Sequence, residues 1–122
     1  MAEQDATDLK VQTKEFALRV IRLYCSLPKR EPAQVLGRQV LRSGTSVGAN
    51  WREASRARSN AEFVAKTGDC LKELEETHYW LELLTESGEV KMSKLAALLD
   101  EASQLTAIFT TIERKVRGRA KT

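Results

Sequence analysis

Turn-forming residues are scarce in this chain, which has 2 prolines and 6 glycines among 122 residues. Long stretches without either residue exclude an all-β fold with many turns. No apolar run approaches the ~20 residues that span a bilayer, and the acidic start Met1–Asp5 lacks the basic-then-apolar order of a secretory signal. We therefore expect a cytosolic protein with no membrane partner.

Residues that hold metals are equally few. The two cysteines, Cys25 and Cys70, are not spaced as CxxC, and His78 is the only histidine. A structural zinc site needs four cysteine or histidine ligands, which this chain does not contain. Because both cysteines fall in apolar helical stretches, we interpret them as small buried or interfacial side chains. The sequence predicts no metal and no cofactor.

No nucleophile can be matched with a base. The hydroxyls of Ser43, Thr45 and Ser46 have no histidine or lysine nearby in the sequence to activate them. Carboxylates on one helix can hold metals, but the pattern needs Glu-x-x-His twice, and the chain has it once. The carboxylates concerned are Glu73, Glu75, Glu76 and Glu82. We predict that the chain has no catalytic residues, and keep an enzyme or metal carrier using these carboxylates as the weakest alternative.

Four segments instead show the period of an α-helix, at about residues 8–27, 32–57, 60–86 and 94–117. Pro28 ends the first and Pro32 suits the first turn of the second. Ser59 and Glu62 form a capping-box pattern before the third, and Ser93 is a suitable cap for the fourth. Because the connections are short, we predict one all-α domain over residues 1–122, an antiparallel up-and-down four-helix bundle with short flexible termini.

Apolar residues remain after each helix is given one core face. On the first helix, Val11, Leu18, Ile21 and Cys25 form a second seam about 180° from the core stripe. Aligned apolar seams favour self-association, whereas scattered exposed hydrophobic residues are common and carry no meaning singly. The residues assigned to an oligomer interface are Leu18, Ile21, Gly44, Gly48, Trp51, Tyr79, Trp80 and Leu83.

Charge is divided between the two helical hairpins. Residues 10–58 carry a net charge of +8 and residues 59–113 carry −7. Part of this asymmetry can be satisfied within one chain. The rest favours head-to-tail contact between the basic hairpin of one copy and the acidic hairpin of the next, which can close into a ring.

Arginines line one face of the second helix. Arg38, Arg42, Arg52 and Arg56 share a seam about 200° from the core stripe, which predicts that they face outward, and Arg58 extends it. Such a row can follow the phosphates of a nucleic acid. The alternative is a solvated face whose arginines pair with Glu53 and with acids of a neighbouring copy, which would make the protein a protein–protein scaffold.

Two stretches carry a family resemblance. LRSGTSVGANWREA at residues 41–54, followed by AEF at 61–63 and LKELEETHYWLELL at 71–84, resembles the four-helix-bundle family named after the 23S rRNA intervening-sequence protein. The resemblance covers about residues 9–112. It implies a small cytosolic bundle that assembles as a homopentamer. It also implies that Ser43 and Asn50 are core polar groups hydrogen-bonded between helices.

The accessory variability determinant proteins of diversity-generating retroelements are similar in fold to this family. That likeness implies basic pentamers that bind nucleic acid and a partner protein. The family name itself reflects a genomic location. Together, the residues and the resemblance favour a non-enzymatic oligomer that binds RNA or a nucleoprotein, with a pure scaffold as the alternative.

Overall fold

The computed structural model describes the main chain of residues 3–121 and the side chains of residues 8–118. Within that part of the chain the secondary structure is entirely helical, with α1 at Glu3–Ser26, α2 at Glu31–Ala54, α3 at Asn60–Glu86 and α4 at Met92–Lys121. Short turns join consecutive helices. The predicted antiparallel four-helix bundle is confirmed.

The helices form a square in which each touches its two neighbours. Packing is most extensive between α2 and α3 and least extensive between α1 and α4, while the backbones of the diagonal pairs stay apart in the described residues. Helix α2 therefore lies diagonally across from α4. Its outer face points away from the groove between α1 and α4, which matters for the surfaces described below.

The ends of the helices depart from the prediction by a few residues. Helix α2 stops at Ala54, because Arg56 and Ala57 turn more tightly, with N–H groups bonded to carbonyls three residues back. Helices α1 and α4 extend further into the chain termini than expected. The predicted flexible termini largely lie outside the described side chains.

One of the two predicted N-terminal caps is confirmed. Ser59 caps α3, its Oγ accepting from the Glu62 N–H at 3.0 Å, while Glu62 Oε2 accepts from the Arg58 N–H at 3.0 Å. Gly88 follows the α3 C-cap with φ +84, a conformation that glycine adopts without strain. The Ser93 cap was wrong: α4 begins at Met92, so Ser93 lies in the first turn.

The core is centred on Trp51, which has no exposed surface. Its ring meets the ring edges of Phe63 and Phe109 at centroid distances of 5.9 and 5.5 Å, linking α2 to α3 and α4. The assignment of Trp51 to an oligomer interface was therefore wrong. This side chain fills the interior of its own protomer.

The glycines of α2 let α1 approach closely. A Cβ placed on Gly44 would lie 2.8 Å from Val20 Cγ2, and one on Gly48 would lie 3.2 Å from Thr13 Oγ1. Gly44 is itself buried, so its assignment to an interface between copies was also wrong. Gly48 is half-buried and serves the same contact between α1 and α2.

Candidate functional site

The outer face of α2 and the turn that follows it form the most basic surface predicted from the sequence. Arg38, Arg42 and Arg52 are exposed along α2, and Arg56 and Arg58 are exposed in the turn before α3. Arg38, Arg42 and Arg52 agree with the predicted outward seam of the helix, whereas Arg56, predicted to share it, lies beyond the end of α2. We call these five residues the arginine face.

Arg42 differs from the others because it is held by α3. Its Nη1 lies 3.5 Å from Glu73 Oε2 and its Nη2 lies 3.2 Å from Glu76 Oε2. Burial and the negative charge of Glu76 raise the pKa of Glu73, and the positive charge of Arg42 opposes them. About half of the Arg42 side chain remains exposed, but its charge is shared with two carboxylates of the same chain.

The other four residues of the arginine face are free of such pairing. Within the described side chains, Arg38, Arg52, Arg56 and Arg58 form no ion pair. Their positive charge is therefore available to an anionic partner.

Glu53, the acid expected to pair with these arginines, pairs instead with Lys66. Lys66 Nζ lies 2.8 Å from Glu53 Oε2. That hydrogen bond and charge lower the pKa of Glu53, with a smaller contribution from Arg56. The sequence placed Glu53 on α2 but gave no indication of the register that brings Lys66 from α3 beside it.

The apolar seams occupy three different environments. Leu18 and Ile21 on α1 are 42% and 40% exposed, and Tyr79 on α3 is 53% exposed. Trp80 and Leu83 are half-buried, and Trp80 packs against the core and against the Tyr79 ring at 5.0 Å. With Trp51 and Gly44 inside the protomer, the exposed remainder consists of the α1 seam and Tyr79.

One polar pair was missed from the sequence. His78 Nε2 on α3 lies 3.1 Å from Ser103 Oγ on α4, in a groove of about 680 Å³ that also holds Glu75 and Glu82. The two residues are 25 positions apart, and only the register between α3 and α4 brings them together. Both lie inside helices, where backbone N–H groups bond within the helix and form no oxyanion hole for acyl transfer.

The described side chains contain no group of three or more histidine, cysteine or carboxylate residues able to hold a metal ion. Nor, among residues 3–121, is any helix both long and apolar enough to cross a lipid bilayer. What the described part of the chain presents is an all-α bundle with one basic helix face and one apolar helix seam.

Comparison with known proteins identifies the group to which this bundle belongs. The family model described as "23S rRNA-intervening sequence protein" matches residues 7–111. The chain is a member of that family.

A solved structure from Bacteroides thetaiotaomicron, a protein of unknown function from the S23 ribosomal protein family, is also similar. It is 36% identical, with a TM-score of 0.83 over 89% of this chain and 97% of that one. No curated protein matches the chain significantly.

Proposed function

We propose that this protein is a non-enzymatic cytosolic bundle that assembles with copies of itself and binds RNA or a nucleoprotein through the arginine face. One observation carries the proposal: four arginines on one side of the molecule are exposed and unpaired within the described side chains. Exposed, unpaired guanidinium groups in a row are suited to phosphate contacts. An assembly would repeat the row and strengthen weak contacts through avidity.

Self-assembly rests on the α1 seam. Val11, Leu18 and Ile21 are at least 40% exposed, and all lie on the side of α1 away from its core residues. We propose a second copy of this chain as the occupant, meeting the seam with its acidic α3–α4 hairpin. The opposite charges of the two hairpins support this choice. A pentamer is the number that the family resemblance favours.

RNA binding is tested with the double variant Arg38→Glu, Arg52→Glu. These positions are chosen over Arg42, whose replacement would leave Glu73 and Glu76 facing a new negative charge. Anisotropy of a labelled single-stranded RNA should show binding that weakens steeply as salt rises, with a logarithmic slope of about −0.7 per phosphate contact. The variant should bind at least about tenfold more weakly and show a shallower slope.

The matched control is Lys29→Glu, Lys72→Glu, which changes the net charge equally at two exposed positions off the arginine face. It should reduce affinity far less. Equal losses in both variants would mean that only net charge matters and that the arginine face is not the binding surface. No binding by the unaltered protein at low salt would favour the pure scaffold instead.

Assembly is tested by light scattering with Leu18→Asp, which places a charge in the centre of the α1 seam. The unaltered chain should have the mass of an oligomer, and the variant a lower mass with its helical circular dichroism retained. Met92→Asp, at another exposed apolar residue away from the seam, is the control and should keep the larger mass. A monomeric mass for the unaltered chain at micromolar concentration would contradict this part of the proposal.

A further inference from the structure

A cleft of about 590 Å³ opens on the far side of the bundle from the arginine face, between the end of α1 and the start of α4. Its inner wall is apolar: Leu27, Leu95 and Leu98 are at most 5% exposed, and Leu23 is half-buried beside them. Clefts of roughly 300–1,000 Å³ with an apolar wall and a few polar groups are typical of small-molecule sites.

Positive charge dominates the outer wall of this cleft. Arg19 and Arg22 line it from α1, and Lys91 and Lys94 line it from the turn before α4 and its first residues. The single carboxylate in the lining is Glu89. The lining therefore carries four positive side chains against one carboxylate.

Two existing ion pairs leave three of these positive charges unmatched. Arg19 is bound by Glu101 of α4. The Glu89 carboxylate is bound from outside the lining by Arg30, whose Nε lies 3.2 Å from Oε2. Among the described side chains, Arg22, Lys91 and Lys94 have no acidic partner.

We propose that this cleft binds an organic phosphate. The phosphate would be held by Arg22, Lys91 and Lys94, while an apolar or aromatic body rests on the leucines. Three positive charges match a multiply charged phosphate better than a single carboxylate. Burial of the apolar or aromatic part of the ligand against the leucines adds hydrophobic stabilisation, which inorganic phosphate cannot provide.

This site is independent of the proposed RNA contact. The cleft lies between α1 and α4, and none of its lining residues belongs to α2 or to the arginine face. The variant Arg38→Glu, Arg52→Glu should therefore bind an organic phosphate as the unaltered protein does. Failure of one proposal does not carry over to the other.

The test is a titration of the full chain with adenosine 5′-monophosphate, followed by amide NMR. Gly88 lies in the cleft lining, and its N–H should shift in a saturable way below about 5 mM nucleotide, while that of Gly68 on α3 should not. Arg22→Gln with Lys94→Gln should weaken binding at least about tenfold. Both positions are exposed, so the fold should persist, as circular dichroism will verify.

Lys10→Gln with Lys72→Gln is the control, since it removes two exposed charges outside the cleft. It should change affinity less than about twofold. Inorganic phosphate should bind more weakly than the nucleotide, and adenosine should not bind. The proposal is overturned if Gly88 does not shift, if the cleft variant binds normally, or if either partial probe equals the nucleotide.

Discussion

Ser43 Oγ of α2 and Thr77 Oγ1 of α3 lie 2.7 Å apart in the centre of the bundle, and neither side chain is exposed. Each hydroxyl also lies near the carbonyl four residues before it, Gln39 O at 3.0 Å and Glu73 O at 2.8 Å. Both can therefore be satisfied when one donates to its carbonyl and the other donates across the interface. Buried polar groups of this kind penalise any register that separates them.

Replacing only one member of the hydroxyl pair should be costly. Ser43→Ala removes the hydrogen bond between the helices to Thr77 and should lower the free energy of unfolding by about 1–2 kcal/mol. Adding Thr77→Val should cost less than the two single changes combined, because either single change already removes the hydrogen bond between the two hydroxyls. Urea denaturation of the four proteins measures this coupling, and strict additivity would contradict it.

Replacing glycine by alanine should change the stability of the protein in opposite directions in α2 and α3. Gly44→Ala forces a methyl group against the β-branched Val20 at 2.8 Å and should destabilise the protein by about 1–3 kcal/mol. Gly68→Ala meets only Glu113 Oε2 at 3.5 Å and should be neutral or stabilising by up to about 1 kcal/mol. Thermal unfolding of the two variants provides the comparison, with each serving as control for the other.

Glu73 should make stability depend on pH. Because its pKa is raised in the folded protein, its ionisation opposes folding, and the penalty grows as pH rises from about 4.5 through the raised pKa. Glu73→Gln removes this titration, so relative to the unaltered protein the variant should gain stability between acidic and neutral pH. Urea unfolding measured at several pH values tests the sign.

The control for that experiment is Glu75→Gln, which removes an equal charge at an exposed position on the same helix. It measures how much of any change comes from removing one negative charge from α3. A pH profile for Glu73→Gln that runs parallel to that of the unaltered chain would show that the Glu73 carboxylate carries no such penalty.

The two cysteines should differ in reactivity. Cys70 is buried and donates to Val47 O at 3.6 Å, and burial together with the charge of Asp69 raises its thiol pKa to about 12. Cys25 is exposed on α1. Since the thiolate is the reactive form, a thiol reagent at neutral pH should rapidly label Cys25 in the Leu18→Asp variant, whose α1 seam is uncovered, and Cys70 only after denaturation. Rapid labelling of Cys25→Ser in its folded state would contradict this.

The helix period alone was enough to predict the fold and the outer side of α2. Apolar and charged residues recur on opposite faces there, and the exposed positions of Arg38 and Arg52 follow from the spacing. Ser43 was expected to hydrogen-bond between helices and does so. Asn50, expected to do the same, makes no side-chain hydrogen bond within the described residues.

The helical period could not predict which residues of different helices contact one another. We expected Asn50 to be a core polar group and Trp51 to lie at an interface between copies. In the structure the Trp51 ring packs against Phe63 of α3 and Phe109 of α4 inside its own protomer, a contact between helices that the spacing along α2 does not predict. The pairing of Arg42 with Glu73, and of His78 with Ser103, depends on axial offsets between helices that no single-helix pattern encodes.

The sparse packing between α1 and α4 has a consequence for the local opening of the bundle. Three neighbouring pairs of helices pack extensively, and the α1–α4 pair does not. The free energy needed to separate two helices is therefore lowest for α1 and α4. Hydrogen exchange should be slowest in the paired centre of α2 and α3 and fastest along the open edge. A ligand bound in the cleft would contact both α1 and the start of α4. It should therefore stabilise the pair of helices that is least tightly packed.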